Sequence, residues 1–344
     1  PEARNTYNLL IASYLEPEYV ARIRAVDPRV NVIYAPELIP QPRYPADHGG
    51  APLTRTPEEE ARWRAHLAAA EILFDFDHTH RDDLPELAPR LRWIQATSAG
   101  IGQFVKRLGY AERMPDTVFT TASGVHARPL AEFCMMAILI HYKRLRHILA
   151  EQERRRWERS AATDLERRTL AVVGLGRIGR EVARMAQGLG MKTVGTRARG
   201  DDDGVDRFYP PDALHEMLGQ ADVVVVIVPH TPETEKLIDA TALAAMKPGA
   251  FFINIARGAV VDEPALIAAL ESGHLSGAAL DVFAEEPLPP DSPFWSMPNV
   301  LVSPHSASTS DRENERITEL FCANLRLYLA GQPLMNVLNL ERLY

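Results

Sequence analysis

Leu170-Ala171-Val172-Val173-Gly174-Leu175-Gly176-Arg177-Ile178-Gly179 decides how this chain is read: a β-branched run, then Gly-x-Gly-x-x-Gly, then the helical pattern of Arg180 to Leu189. Each glycine has a separate duty. Gly174 permits a tight turn, Gly176 lets backbone approach a pyrophosphate, and Gly179 lets the helix pack closely on the strand, while the helix N-terminus supplies partial positive charge. A second strand, Lys192 to Thr196, follows at the distance expected of a dinucleotide-binding βαβ unit. Such a unit usually places Asp or Glu about 20 residues beyond the glycines, on the ribose hydroxyls. Here Arg197 and Arg199 stand in that place. Guanidinium groups suit a 2′-phosphate through charge-assisted bidentate contacts. The expected cofactor is therefore NADP in preference to NAD, with NAD as the alternative. The competing reading is that both arginines are only exposed and that Asp201-Asp202-Asp203 repels the phosphate.

Downstream, Ala221 to Val228 is the clearest buried strand and ends at Pro229-His230-Thr231-Pro232-Glu233-Thr234. Ala250 to Ala256 delivers Arg257-Gly258, Gly277 to Leu280 delivers Asp281 and then Glu286-Pro287, and Val300 to Val302 delivers Pro304-His305. Polar residues at the ends of successive strands line one edge of an open α/β sheet, the ligand edge. Arg257, Asp281, Glu286 and His305 are expected to converge there. Those types suit hydride transfer to a 2-keto acid. Arg257 can hold the substrate carboxylate and polarise its carbonyl. His305 can protonate the forming alkoxide, and an ionised Glu286 beside it would favour the imidazolium. Singly, each has a plain reading as surface cation, loop carboxylate or structural histidine.

Upstream, short apolar runs also alternate with helix-length segments, which reads as α/β with parallel sheets. Asn8 to Tyr14, Val30 to Tyr34, Glu71 to Phe76 and Leu91 to Thr97 read as strands, Pro17 to Val26 and Thr56 to Ala70 as helices. Ser98-Ala99-Gly100 closes the Leu91 to Thr97 strand in a small-residue turn that can offer N–H groups to a ligand. Between Pro36 and Pro57 six prolines with Gly49 and Gly50 predict a long surface loop, either a plain insertion or a flap or subunit contact. Ala127 to about Arg159 reads as one long helix, apolar early and charged late.

The chain's 344 residues give a prior of two domains, and 46% hydrophobic with 24% charged residues is the balance of a globular protein. Lys plus Arg is 38 against 46 Asp plus Glu, a formal net charge of -8, so no basic field draws nucleic acid. Cys134 and Cys322, both in apolar helix-like stretches, make neither a disulfide framework nor a cysteine metal site; two buried thiols are expected, and no metal. No apolar run approaches a bilayer span and Pro1 to Asn8 lacks signal-peptide character, so a cytoplasmic location without membrane contact is expected.

Gly174 to Gly179, Asn254-Ile255-Ala256-Arg257-Gly258-Ala259-Val260-Val261-Asp262, Gly277 to Phe283, Glu286-Pro287 and Ser303-Pro304-His305 resemble the signature segments of the D-isomer-specific 2-hydroxyacid dehydrogenases. The resemblance implies Arg257, Glu286 and His305 as substrate-binding, His-supporting and proton-transfer residues. It implies Ser98, Ala99 and Gly100 at the substrate carboxylate and Asp281 at the nicotinamide carboxamide. Along the cofactor it implies Gly174, Gly176, Arg177, Ile178 and Gly179, then Arg197 and Arg199, then Val228, Pro229 and Thr234, and finally Ile255, Ala256 and Ser308. Two doubly wound parallel-sheet domains, Rossmann-like and flavodoxin-like, are implied, with a cleft between them. The dinucleotide-binding domain would span 122–305, and the catalytic domain 1–121 with 306–344. Homodimerisation through the nucleotide domain is the family habit. Arg197 and Pro293-Phe294-Trp295 resemble the NADPH-dependent glyoxylate and hydroxypyruvate reductases within that family. Two departures stand out: the family's His-x-Gly-Gly reads His305-Ser306-Ala307-Ser308, and the Pro36 to Pro57 insertion has no placed counterpart. The functional alternative is a dinucleotide-sensing, corepressor-like protein on the same scaffold.

Overall fold

Val, Ile and Leu runs bounded by turn residues pair as strands, and longer amphipathic segments cover them; a computed structural model shows this over residues 6–198 and 204–343. By contact the chain divides into two compact units, residues up to His126 with those from Thr309 onward, and Ala127–Ser308.

In the first unit β1 (Tyr7–Ile11), β2 (Val30–Ile33), β3 (Ile72–Phe74), β4 (Trp93–Gln95) and β5 (Val118–Thr120) form a parallel sheet in the order β2-β1-β3-β4-β5. That is the flavodoxin-like order, with the strand order reversing at β1 and β3. The register aligns Ile11 with Phe74, Phe74 with Gln95, and Gln95 with Thr120. The residues after those four share one edge. The helix Glu313–Leu329 returns to this unit and buries Phe321, which stacks on Trp93 at 5.0 Å and meets Phe74 edge-on at 5.1 Å. Aromatic pairs at such distances add about 0.5–1.5 kcal/mol to the burial itself.

In the second unit β6 (Thr169–Val173), β7 (Lys192–Thr196), β8 (Arg207–Phe208), β9 (Val223–Val226), β10 (Ala250–Asn254), β11 (Leu275–Leu280) and β12 (Val300–Val302) are ordered β12-β11-β10-β9-β6-β7-β8, all parallel. This is the dinucleotide-fold order, reversing between β6 and β9. Val173, Val226, Asn254, Leu280 and Val302 sit side by side in the register. Gly174, Ile227, Ile255, Asp281 and Ser303 therefore leave the sheet at one edge.

Two local expectations need correction. The segment from Ala127 is two helices, Ala127–Tyr142 and Leu145–Glu153, because Arg144 adopts a left-handed backbone (φ 56°) and turns the chain. Lys143 and Arg144 reach back to the carbonyls of Thr163 and Ala161. No glycine or proline marks the break, so periodicity ran through it. The stretch from Pro36 to Pro57 is also not a bare surface loop. A 3-10 turn, Pro36–Leu38, sets Leu38 and Ile39 fully into the core. Asp47 accepts from the Arg43 and Gly50 amides, and Gly50 is at positive φ with Pro40 where a Cβ would stand. The expected helix after it, Pro57–Ala69, carries a full capping box between Thr56 and Glu59.

Both cysteines are buried and unpaired. Among the described residues no helix is long and apolar enough to cross a membrane, and no group of three or more His, Cys, Asp or Glu could hold a metal ion.

Candidate active site

Within the second unit the strand-to-helix turn is built by its glycines. Gly174 has φ 114°, and a Cβ there would lie 2.9 Å from the Ile227 carbonyl carbon and oxygen, so the adjacent strand end excludes any side chain. A Cβ at Gly179 would lie 2.2 Å from the Gly174 carbonyl oxygen, which makes that glycine a packing requirement. Gly176 differs. A Cβ there meets no protein atom within 4 Å, so the fold does not demand glycine at that point. An open approach in front of the N-terminus of the 12-residue helix Arg177–Gly188 fits a pyrophosphate. The Thr196 carbonyl anchors the turn by accepting from the Gly174 and Leu175 amides. Arg177 is exposed and Ile178 half-buried at the helix start; Arg197 follows β7 half-buried, and Arg199 lies outside the described residues.

Along the same edge, Val228 and Pro229 follow β9, where the Thr234 hydroxyl donates to the Pro229 carbonyl at 2.6 Å and braces the turn. Ile255 and Ala256 bury their side chains, leaving backbone at the edge. Asn254 clamps this turn, accepting from the Ala256 amide at 3.0 Å and donating to the Arg257 carbonyl at 3.2 Å. Arg257 is half-buried and donates to the Ala256 carbonyl at 2.6 Å. Burial pushes its guanidinium pKa down, against the charges of Glu286 and Asp281.

Asp281 is 2% exposed, and its Oδ1 accepts from Ser303 Oγ at 2.5 Å and from the Ser306 and Ala307 amides at 2.8 and 3.0 Å. Its carbonyl accepts from the His305 amide at 2.9 Å. One buried carboxylate thus orders the whole Ser303–Ala307 loop, in which His305 holds a left-handed backbone of φ 53°. His305 Nδ1 lies 2.7 Å from Glu286 Oε2, and Glu286 Oε1 accepts from the Phe283 amide at 2.9 Å. With Nδ1 donating to the carboxylate, Nε2 is the ring nitrogen left for other chemistry. Ser308 ends the unit, half-buried.

The structure therefore brings Arg257, Asp281, Glu286 and His305 together, as the strand ends predict. Asn254, Ser303 and Gly258 are the contributors that sequence reasoning did not single out. A Cβ on Gly258 would fall 1.9 Å from the Phe283 carbonyl carbon, so the Arg257 turn and the Glu286 loop are in direct backbone contact. Asn254 and Ser303 both stand in the motif segments, but their role depends on side-chain direction.

Ser98-Ala99-Gly100 belongs to the first unit, where the Ser98 carbonyl accepts from the Ala122 amide at 3.0 Å and Ser98 Oγ faces the Gly100 amide at 3.4 Å. Ser98 and Gly100 are exposed. The neighbouring strand ends carry a polar mesh that sequence reasoning missed. His78 Nε2 meets Asp75 Oδ2 at 3.2 Å, His126 Nε2 meets Glu313 Oε1 at 3.1 Å, and His48 Nδ1 meets Ser13 Oγ at 3.3 Å. Burial pushes the Asp75 carboxyl up, but His78, His48 and the Phe76 amide outweigh it and hold it at about 2. Burial pushes His48 down.

Residues 135–307 match the family profile described as D-isomer specific 2-hydroxyacid dehydrogenase, NAD binding domain. Glyoxylate/hydroxypyruvate reductase B of Citrobacter koseri is 34% identical over 290 residues, covering 82% of this chain and 89% of that one. Among solved structures, a D-isomer specific 2-hydroxyacid dehydrogenase family protein from Aeromonas salmonicida superposes with a TM-score of 0.82 at 28% identity, covering 97% of this chain and 99% of that one. A D-isomer specific 2-hydroxyacid dehydrogenase from Xanthobacter autotrophicus Py2, solved with NADPH and MES, gives a TM-score of 0.77 at 30% identity over 98% and 100%. Edge geometry, glycine turn and these likenesses agree, and this chain belongs to the D-isomer specific 2-hydroxyacid dehydrogenase family.

Proposed function

We propose that this chain reduces small 2-keto acids of the glyoxylate and hydroxypyruvate kind to D-2-hydroxy acids, with NADP(H) preferred over NAD(H). The 2.7 Å pairing of His305 Nδ1 with Glu286 carries the reading, since it fixes an imidazole whose other nitrogen is free to exchange a proton. A bound reduced dinucleotide supplies the hydride. Gly174, Gly176 and Gly179 with the first turn of Arg177–Gly188 would hold its pyrophosphate, and Arg197 supports a 2′-phosphate there. The NADPH in the Xanthobacter relative is in keeping with that preference. Arg257 orients the keto acid and polarises the carbonyl, an interaction that partial burial screens less from water. His305 Nε2 donates the proton that the new alkoxide takes up, and Glu286 steadies the imidazolium. Asp281 Oδ1 is engaged by the His305 loop, and Oδ2 is offered to the nicotinamide carboxamide. In the first unit the Ser98-Ala99-Gly100 amides suit a carboxylate. On this reading residues 122–305 form the dinucleotide domain and 1–121 with 306–344 the substrate domain.

Met136, Leu139, Leu145, Ile148 and Leu149 expose apolar side chains on the two consecutive helices of the second unit. That face suits a second copy of the chain, and we read the working form as a homodimer.

Oxidation of NADPH and of NADH, followed by absorbance against 2-keto acids from glyoxylate to phenylpyruvate, tests the reaction and the cofactor together. Turnover with a lower KM for NADPH is expected. Silence across the panel with NADPH nonetheless bound would transfer the reading to dinucleotide sensing, and equal affinities would remove the role of Arg197.

A further inference from the structure

Glu286 must point at His305 for the proposed proton transfer, yet it sits on an exposed loop with little packing of its own. What holds that loop is a run of two consecutive backbone donors. The Phe283 amide donates to Glu286 Oε1 at 2.9 Å, and the next amide, Ala284, donates to Glu263 Oε1 at 2.7 Å. Glu263 is the first residue of the helix Glu263–Glu271, which Asp262 caps through the Ala265 amide at 3.2 Å. It therefore projects from a rigid element. The same peptide lies against Gly258, where a Cβ would stand 1.9 Å from the Phe283 carbonyl carbon and 2.2 Å from the Ala284 nitrogen. The Phe283–Ala284 peptide is thus held by both the Arg257 turn and the Glu263 side chain.

We propose that Glu263 is a positioning residue for the reaction: its oxygen, by accepting the Ala284 N–H, fixes the 283–286 backbone so that Glu286 meets His305. The inference rests on the reading of Glu286 and His305 as the working pair. Burial pushes the Glu263 carboxyl pKa up, against the Ala284 N–H bond that favours the anion, and the nearby charge of Glu286 adds to the upward shift. Accepting one N–H does not need the charge, because a protonated acid or an amide presents the same oxygen. Reach, not charge, is the requirement.

Two variants separate these. Glu263→Gln keeps length and acceptor, whereas Glu263→Asp keeps the carboxylate and the acidic first turn but is one methylene too short to reach Ala284. For glyoxylate reduction at saturating NADPH, Glu263→Asp is expected to lower kcat about 10-fold with KM and NADPH affinity within about twofold, the scale of one lost hydrogen bond worth about 1.4 kcal/mol. Hydrogen exchange at the Ala284 amide should accelerate by a similar factor. Glu263→Gln should retain kcat within about threefold and keep the protection, as no hydrogen bond is removed. A wild-type kcat in Glu263→Asp, a Gln variant as slow as the Asp variant, or lost kcat with Ala284 still protected would each overturn the proposal. Were the unaltered chain to reduce no keto acid, the reaction would fail while Ala284 exchange still reported the tie; unchanged exchange in Glu263→Asp would break the tie itself.

Discussion

At the C-terminal edge of the second sheet the side chains of His305 and Glu286 are 43% and 35% exposed, whereas at the matching edge of the first sheet those of His126 and Glu313 are 11% and 8% exposed and those of His78 and Asp75 24% and 3%. Both edges pair imidazoles with carboxylates at close to 3 Å. An imidazole that exchanges protons with a small molecule must be reachable, and one buried against its partner is held for the sake of the loops around it. In the first unit His126 and Glu313 tie the segment after β5 to the start of Glu313–Leu329, and Ser13 ties His48 to the end of β1. In the second, Asp281 does the structural work from below and leaves His305 outside. Residue type alone does not separate the proposed reacting pair from the bracing ones; exposure is what supports the distinction.

The largest expected effect tests that contrast at His305. His305→Ala should lower kcat about 10³-fold, within the usual range for a general acid, with melting temperature and NADPH affinity nearly unchanged. A loss of only a few-fold would place His305 among the bracing histidines. His126→Ala should do the reverse, costing about 1–3 kcal/mol of stability in denaturant unfolding because the buried Glu313 loses its hydrogen-bonded imidazole and keeps only His48 at 3.9 Å; full stability with lost turnover would invert the comparison.

Acid should weaken the first unit through Asp75. Asp75 titrates at about 2 in the fold against an ordinary 3.8, so its contribution is complete above the unfolded value and is lost as pH falls toward 2. The difference corresponds to something on the order of 2 kcal/mol. Asp75→Asn should remove that part of the acid dependence, seen as a flatter plot of unfolding free energy between pH 4 and 2, a window set by those two pKa values. An unchanged slope would remove Asp75 from the account.

The last pair, whose Gly176 member should not change stability at all, sharpens the glycine turn. Gly179→Ala, with 2.2 Å between its Cβ and the Gly174 oxygen, should lower stability by about 1–3 kcal/mol. Gly176→Ala should leave melting temperature unchanged and weaken NADPH binding by calorimetry, because its Cβ meets no protein atom within 4 Å but would meet a pyrophosphate bound as proposed. Equal loss of stability in both would mean that the turn is merely structural.

Much of the second unit could be read before folding. The glycine spacing, the buried valines and the motif residues Arg257, Asp281, Glu286 and His305 are all local in sequence, and a parallel register carries each strand's last residue to the same row. The first unit was harder. Its strands of three residues, such as Ile72–Phe74 and Trp93–Gln95, have too few positions to show a period. Asp75 and His78 look like ordinary loop residues until His48, from the proline-rich stretch, packs beside them. The break at Arg144 was equally silent, since a left-handed residue other than glycine leaves no mark in hydrophobic periodicity.

From the sequence alone came the fold class, the glycine turn and the residues that gather at the ligand edge, because each depends on residue type and spacing along one strand or turn. Tertiary structure alone decided which histidines are buried and which is exposed, that Gly176 has open space before it while Gly179 has none, and that Glu263 reaches Ala284. Apart from the close approach of Gly179 to Gly174 within one turn, those are distances between segments tens of residues apart, and they exist only once the parallel sheets have set the strand ends side by side.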